Sequence, residues 1–391
     1  MRLGFHYHIP AIQQDGQIKM PGYLGLFVDS LAVRCERIVC FQHSPREDEL
    51  LQMDYEINNP NISLVAIGPH NTVPLRTAAA FFNRQVFRSW QSSLDILLVR
   101  VPTPLLPVIS LIWKKPLTLL IVGDYLPGID DLPQPRWRKE LIRIWAKWVQ
   151  SYQLRTAKRS LTFVNSRLLY EQYLHHIPNL VETRTTTIRE NQIFPRYDTC
   201  KAPPYRLLYA GRMSRSKGLF EMVKALALLV DAGFDVILDL VGMEEEGYLV
   251  LDELDSLANS IGVAKRVQYH GYKSAGTELL TYYRRADIFI IASQSSFEGF
   301  PRVIWEAMAS SLPVVATQVG SIPAYIGNAA VLVPPRNSDV LVQAICNILE
   351  NKDLRQKLIR NGMKLAQENT LEKRADEMIT HIERWLGSGI S

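Results

Sequence analysis

Tyr205-Arg206-Leu207-Leu208-Tyr209-Ala210-Gly211-Arg212-Met213-Ser214-Arg215-Ser216-Lys217-Gly218 is the stretch that decides the fold. It reads as a short apolar strand from Arg206 to Ala210, a glycine turn, and the entry to an amphipathic helix from Leu219 to Ala232. The same alternation continues to the C-terminus. Strands are expected at Asp235 to Val241, Arg266 to His270, Asp287 to Ala292, Leu312 to Thr317 and Ala330 to Val333, with helical segments between them. Strands that alternate with helices build a parallel sheet covered on both faces.

The first half repeats the pattern, with strands expected near Arg2 to Tyr7, Arg37 to Gln42, Ser63 to Ile67, Asp95 to Arg100, Leu117 to Val122 and Leu161 to Val164. The prolines Pro195, Pro203 and Pro204 between Phe194 and Tyr205 mark a linker. Two doubly wound domains are therefore expected, 1–195 and 206–370, facing across a cleft. A closing helix at 371–391 shows one apolar stripe of Leu371, Ala375, Met378, Ile379, Ile382, Trp385 and Leu386.

Composition narrows the classes. The 391 residues are 47% hydrophobic and 21% charged, the balance of a globular chain, which excludes disorder and collagen-like repeats. The nearest approach to a membrane span, Leu105 to Val122, is cut by Pro107, Lys114, Lys115 and Pro116. Met1 to Phe5 is no secretory leader, so a cytoplasmic protein is expected, with peripheral association at the inner membrane face as an extension. Cys35, Cys40, Cys200 and Cys346 have neither disulfide nor zinc spacing and read as buried thiols. Residues 1–200 carry 23 Lys and Arg against 17 Asp and Glu, a net +6, whereas 201–391 carry 21 against 22, a net −1. That asymmetry points to an anionic partner for the first half.

Two strand-to-helix corners in the second half carry chemistry. In the first, Gly211 and Gly218 free backbone amides, and the helix that follows presents its positive end to an anion. Arg212 and Lys217 add two charges and complete a diphosphate cradle; a solvated basic loop is the alternative. In the second, Glu298, Gly299, Phe300 and Pro301 open a helix in which Glu306 lies about 7.5 Å further along the axis, at about 1.5 Å per residue. Two carboxylates so spaced can address different parts of one elongated ligand, unless Glu306 only pairs with a nearby cation.

Four motifs in order resemble the donor half of the retaining glycosyltransferases of family four, which have the GT-B fold. They are Gly211-Arg212 with Lys217-Gly218, Glu298-Gly299-Phe300 to Glu306-Ala307-Met308-Ala309, Pro313 to Thr317, and Val319-Gly320-Ser321-Ile322-Pro323. The resemblance spans roughly Tyr205 to Leu371. It implies a nucleotide-sugar donor, with Arg212 and Lys217 neutralising the departing diphosphate. Glu306 would hold the ribose hydroxyls, and Glu298, Gly299 and Phe300 would meet the donor sugar. It also implies that no metal or other cofactor is needed, in keeping with the lack of an Asp-x-Asp motif. The expected activity is retaining transfer of a hexosyl-type sugar to a hydroxyl acceptor, in cell-surface polysaccharide or glycolipid synthesis. The acceptor would be a lipid-linked or growing polysaccharide intermediate. A non-catalytic nucleotide-sugar-binding subunit and a sugar-nucleotide epimerase on the same fold are the rival readings.

The first half resembles the family only loosely. Pro21-Gly22-Tyr23-Leu24-Gly25, opening a helix after the first strand, sits where relatives place a glycine loop near the donor phosphate. Where many members carry a histidine, the strand Leu117 to Val122 runs into Gly123-Asp124. Asp124 either faces the reacting centre or serves a turn. His6 and His8 follow the first strand and could reach the cleft. From Arg136 to Arg159 the chain carries eight cations and one acid, Glu140, with Trp137, Leu141, Ile144, Trp145, Trp148 and Tyr152 on one stripe. Either that stripe packs on the core, or the helix lies on an anionic lipid surface. Nucleic acid is not indicated, since no binding motif accompanies the charge.

Overall fold

The structure, a computed structural model, describes residues 1–391 except 83, 124, 127, 128, 130–133, 245–248, 297 and 389–391. The chain divides into two compact units, Met1–Thr185 with Glu372–Ser391, and Thr186–Leu371.

The first unit holds strands β1 (Arg2–His6), β2 (Ile12–Gln14), β3 (Gln17–Met20), β4 (Arg37–Ser44), β5 (Tyr55–Glu56), β6 (Ile62–Pro69), β7 (Ile96–Val101), β8 (Leu117–Ile121), β9 (Thr162–Val164) and β10 (Leu180–Glu182). Seven of them form a parallel sheet in the order β10-β9-β8-β7-β1-β4-β6. Every residue of β7 and β8 is buried, because both faces of the sheet are covered. On one face Leu3, Phe5, Ile38, Cys40, Leu98 and Leu120 pack against the helix Gly22–Ala32. The closing helix Leu371–Gly387 joins the same cluster through Ala375, Met378, Ile379 and Ile382, as its apolar stripe predicts. On the other face Val39, Phe41, Leu97, Val99 and Leu119 meet Ala80, Phe87, Ile109 and Ala157.

β2, β3 and β5 form a small antiparallel sheet that sequence reasoning missed. Its turn is Asp15-Gly16, both at positive φ (51° and 79°), the pairing a two-residue hairpin turn requires. The helix Gly22–Ala32 therefore follows β3, not the first strand as expected.

The second unit carries β11 (Tyr205–Ala210), β12 (Val236–Val241), β13 (Val267–Tyr269), β14 (Ile288–Ile291), β15 (Val314–Thr317) and β16 (Val331–Val333). They form one parallel sheet ordered β13-β12-β11-β14-β15-β16. Connections run outward from β11 in one direction and then restart at β14 on its other side. β11 and β14 therefore flank the switch point, where ligands bind beyond the carboxyl ends of strands. The proline segment expected as linker belongs to this unit. Phe194 N–H donates to the Ala309 carbonyl (2.7 Å), and the Arg196 guanidinium donates to the carbonyls of Ser310, Arg284, Ala286 and Tyr283.

The helix Arg136–Ala157 differs from its core-packed reading. It buries Ala146, Val149, Gln153 and Ala157, and leaves Trp137 (66% exposed), Leu141, Ile144 and Trp148 (45%) in solvent. The buried side chains lie on a face offset from the aromatic stripe, so the stripe is turned aside. Among the described residues, no helix is long and apolar enough to cross a membrane. Cys35, Cys40 and Cys200 are buried and all four cysteines are free thiols.

Candidate active site

At the end of β11 the chain turns through Gly211, and the Tyr209 hydroxyl donates to the Arg212 carbonyl (2.7 Å), pinning the turn. A short 3-10 turn, Arg215–Lys217, leads to Gly218, which caps the helix Leu219–Asp231 at φ 71°. A Cβ on Gly218 would lie 2.0 Å from the Ala292 carbonyl oxygen. Only glycine supplies both this dihedral and this approach, which draws the β11 and β14 corners together. The Gln294 N–H then donates to the Ser216 carbonyl (2.8 Å).

The β14 corner is held from its other side by the loop after β15. The Thr317 hydroxyl donates to the Ser293 carbonyl (2.6 Å), and the Ser321 N–H donates to the Glu298 carbonyl (3.0 Å). Gly320, at φ 56°, passes so near that its Cβ would stand 1.9 Å from the Glu298 carbonyl oxygen. The third and fourth sequence motifs thus act as a buttress for Glu298.

Lys217 Nζ and Glu298 Oε2 meet at 2.6 Å, with side chains 14% and 13% exposed. A cation from one side of the switch point and a carboxylate from the other are brought into contact, mostly shielded from water. Tyr209 lies beneath them; burial raises its phenol pKa, the Glu298 charge raises it further, and Arg212 opposes both. Arg212 itself is exposed at the rim. Phe300 is committed to the corner by its contacts with Trp305 (4.4 Å between centroids) and Tyr325 (5.3 Å), while the Cβ direction of Gly299 is open.

Glu306, on the helix Arg302–Ala309, is 6% exposed and, among the described residues, pairs with hydroxyls and not with a cation. Its Oε1 accepts from the Thr187 hydroxyl and its Oε2 from the Tyr283 hydroxyl (2.7 Å). Full burial, then the Glu306 charge, pushes the Tyr283 pKa well up, so the phenol stays a donor. Each carboxylate oxygen accepts more than one hydrogen bond, which leaves capacity for a ligand's hydroxyls. Thr187 and Tyr283 were invisible to sequence reasoning, being 119 and 23 residues from Glu306.

In the first unit the Gly22 N–H already donates to Asp54 Oδ1 (2.8 Å). Asp124 lies outside the described residues. His6 is fully buried and satisfied, Nδ1 against the Phe41 carbonyl (2.8 Å) and Nε2 against the Thr103 hydroxyl (3.0 Å).

Residues 198–365, which contain the Lys217–Glu298 pair and Glu306, match the family described as glycosyl transferases group 1. This region belongs to the group 1 glycosyl transferases. A D-inositol 3-phosphate glycosyltransferase of Corynebacterium glutamicum is 29% identical over 163 residues, 41% of this chain and 38% of that one. A capsular polysaccharide biosynthesis glycosyltransferase, CapM of Staphylococcus aureus, is 22% identical over 195 residues, 48% of this chain and 47% of that one. The matched part thus spans less than half the length of these relatives. The Anabaena protein HepE, solved in complex with UDP, aligns with a TM-score of 0.74 at 18% identity, over 98% of this chain and 100% of that one. That likeness shows the fold, two Rossmann-like units of the GT-B type.

Proposed function

We propose that this group 1 glycosyl transferase moves a sugar from a nucleotide diphosphate donor to a hydroxyl acceptor, with retention of configuration and without a metal ion. The observation that carries the reading is the Lys217–Glu298 contact at the switch point. The pair balances two charges that an entering donor would separate. Lys217, with Arg212 and the amides around Gly211 and Gly218, would turn to the diphosphate. Glu298, freed, would accept from hydroxyls of the donor sugar beside Gly299 and Phe300. Glu306 would hold the ribose. The bond to the anomeric carbon breaks as charge builds on the leaving diphosphate, so cations fixed beside it stabilise the transition state more than the ground state. The HepE complex with UDP supports a nucleotide donor, and the relative in capsular polysaccharide synthesis supports a cell-surface acceptor. An acceptor carried on lipid fits the exposed tryptophans and cations of the helix Arg136–Ala157. From the first unit, Gly22 would bind the donor and Asp124 would face the reacting centre.

The test is donor turnover by the purified chain, screened over nucleotide sugars with product anomers read by NMR. Lys217→Ala is expected to lower kcat at least about 100-fold, since it removes a charge felt most in the transition state. Glu298→Ala should lower kcat/KM comparably. Turnover retained in both variants would refute the assignment. Binding of nucleotide sugar without turnover would favour a regulatory subunit, and acceptor-independent isomerisation would favour an epimerase.

A further inference from the structure

In the first unit, the carboxyl ends of β1, β4 and β6 gather polar side chains with no assigned task. His43, 1% exposed, donates from Nδ1 to the Gly68 carbonyl (3.3 Å), and His70 donates from Nδ1 to Glu49 Oε1 (2.6 Å). Their ring centroids are 5.8 Å apart. With Nδ1 spent as donor, each neutral ring keeps a bare lone pair on Nε2. Both Nε2 atoms, His8 Nδ1, and Nε and one terminal nitrogen of Arg76 are buried with no hydrogen-bond partner among the described residues. Buried polar atoms in folded proteins are nearly always partnered, so orphans gathered at one sheet end indicate a ligand.

Charge identifies its sign. The Arg76 cation lowers the pKa of His6, His8, His43 and His70 alike, behind desolvation, and so stands within reach of all four. Burial holds His6 at about 4 and His8 and His43 at about 3. Among the described residues, the other titratable or charged groups facing the cluster are Glu49, already bonded to His70, Arg46, Tyr7 and Tyr125. Among the described residues, no three His, Cys, Asp or Glu side chains are placed to hold a metal ion. Among the described residues, the guanidiniums of Arg76 and Arg46 and the unpartnered ring nitrogens of His8, His43 and His70 stand against a single engaged carboxylate, which suits an anion.

We propose that this cluster binds a compact phosphoryl-class oxyanion, held by Arg76 and by the Nε2–H groups of His43 and His70, which take up protons as the anion enters. The proposal concerns binding alone and stands whether or not the transfer reading does. Sulfate is the probe, because it stays a dianion from pH 5 to 8 and any proton uptake must come from the protein. Calorimetric titration of the full chain at pH 7.5, 6.5 and 5.5 should show affinity rising about tenfold per pH unit for each proton bound. Heats should depend on buffer ionisation enthalpy. The Lys217→Ala variant, which removes a cation of the other unit's cradle, should keep this pH-dependent binding, and Arg76→Gln should lose it. His70→Gln, at a partly exposed position, should keep binding with one proton less of pH dependence. In the Lys217→Ala protein, displacement of sulfate by geranyl diphosphate would assign the group to a lipid carrier, and by glucose 1-phosphate to a soluble ester. Sulfate binding that ignores pH, that survives Arg76→Gln, or that yields to neither ester would overturn the proposal.

Discussion

Glu306 shows how a buried carboxylate can be oriented by residues that no local pattern reveals. Its two oxygens are fixed by Thr187 and Tyr283, which come from outside its own helix and strand. Tyr283→Phe removes one donor and leaves a 6%-exposed carboxylate short of a partner. Such a loss costs about 1–3 kcal/mol, so the variant should melt several degrees lower and bind nucleoside diphosphate more weakly. An unchanged melting temperature with unchanged nucleotide affinity would show that Thr187 alone fixes the carboxylate. Lys217 and Glu298 were legible because each follows a strand end by a short corner, and corners on both sides of a switch point converge by topology. Thr187 and Tyr283 were not, since sequence spacing carries no trace of a contact made by tertiary packing. Arg76, His43 and His70 are brought together by tertiary packing in the same way, from β4, the end of β6 and the helix Val73–Phe82.

Among the elements, the parallel strands were readable because burial on both faces forces near-continuous apolar runs such as Ile96–Val101. β2, β3 and β5 are two to four residues long, too short for any period, and only Asp15-Gly16 signalled the hairpin. The helix Arg136–Ala157 is the instructive failure. A helical wheel shows that it has an aromatic stripe and a basic face, but not which side meets the sheet. Ala146, Val149, Gln153 and Ala157 are the side that is buried, Trp145 packs on Tyr125 (5.0 Å between centroids), and Trp137, Leu141, Ile144 and Trp148 remain exposed among Arg138, Lys139 and Lys147. Tryptophan interleaved with cations is the composition of a surface helix on anionic lipid. Trp137→Ala with Trp148→Ala should reduce co-sedimentation with phosphatidylglycerol vesicles several-fold while leaving the melting temperature unchanged, as neither side chain is in the core. Binding of the parent should also weaken as salt rises from 0.05 to about 0.5 M, where screening shortens the reach of charge. Equal sedimentation of a folded double variant would assign the stripe to another surface.

At the scale of the whole molecule, residues 1–200 carry a net charge of +6, and the first unit buries the Arg76 guanidinium near its histidines and exposes a basic helix. The buried histidines make stability depend on pH in a definite direction. His6, His8 and His43 have folded pKa values near 4, 3 and 3, below the unfolded value of about 6.5. Between those limits the unfolded chain binds more protons, so stability is complete above about pH 6.5 and is lost as pH falls toward 4. Each histidine contributes a slope approaching about 1.4 kcal/mol per pH unit within that window. Melting temperature should therefore be level from pH 8 to 7 and drop steeply below 6. Sulfate should move the drop to lower pH, since an anion that binds protonated imidazoles favours the folded state in acid. A melting temperature equal at pH 7 and pH 5 would mean that these rings protonate without resistance in the fold, and that the first unit opens to water where the structure closes it.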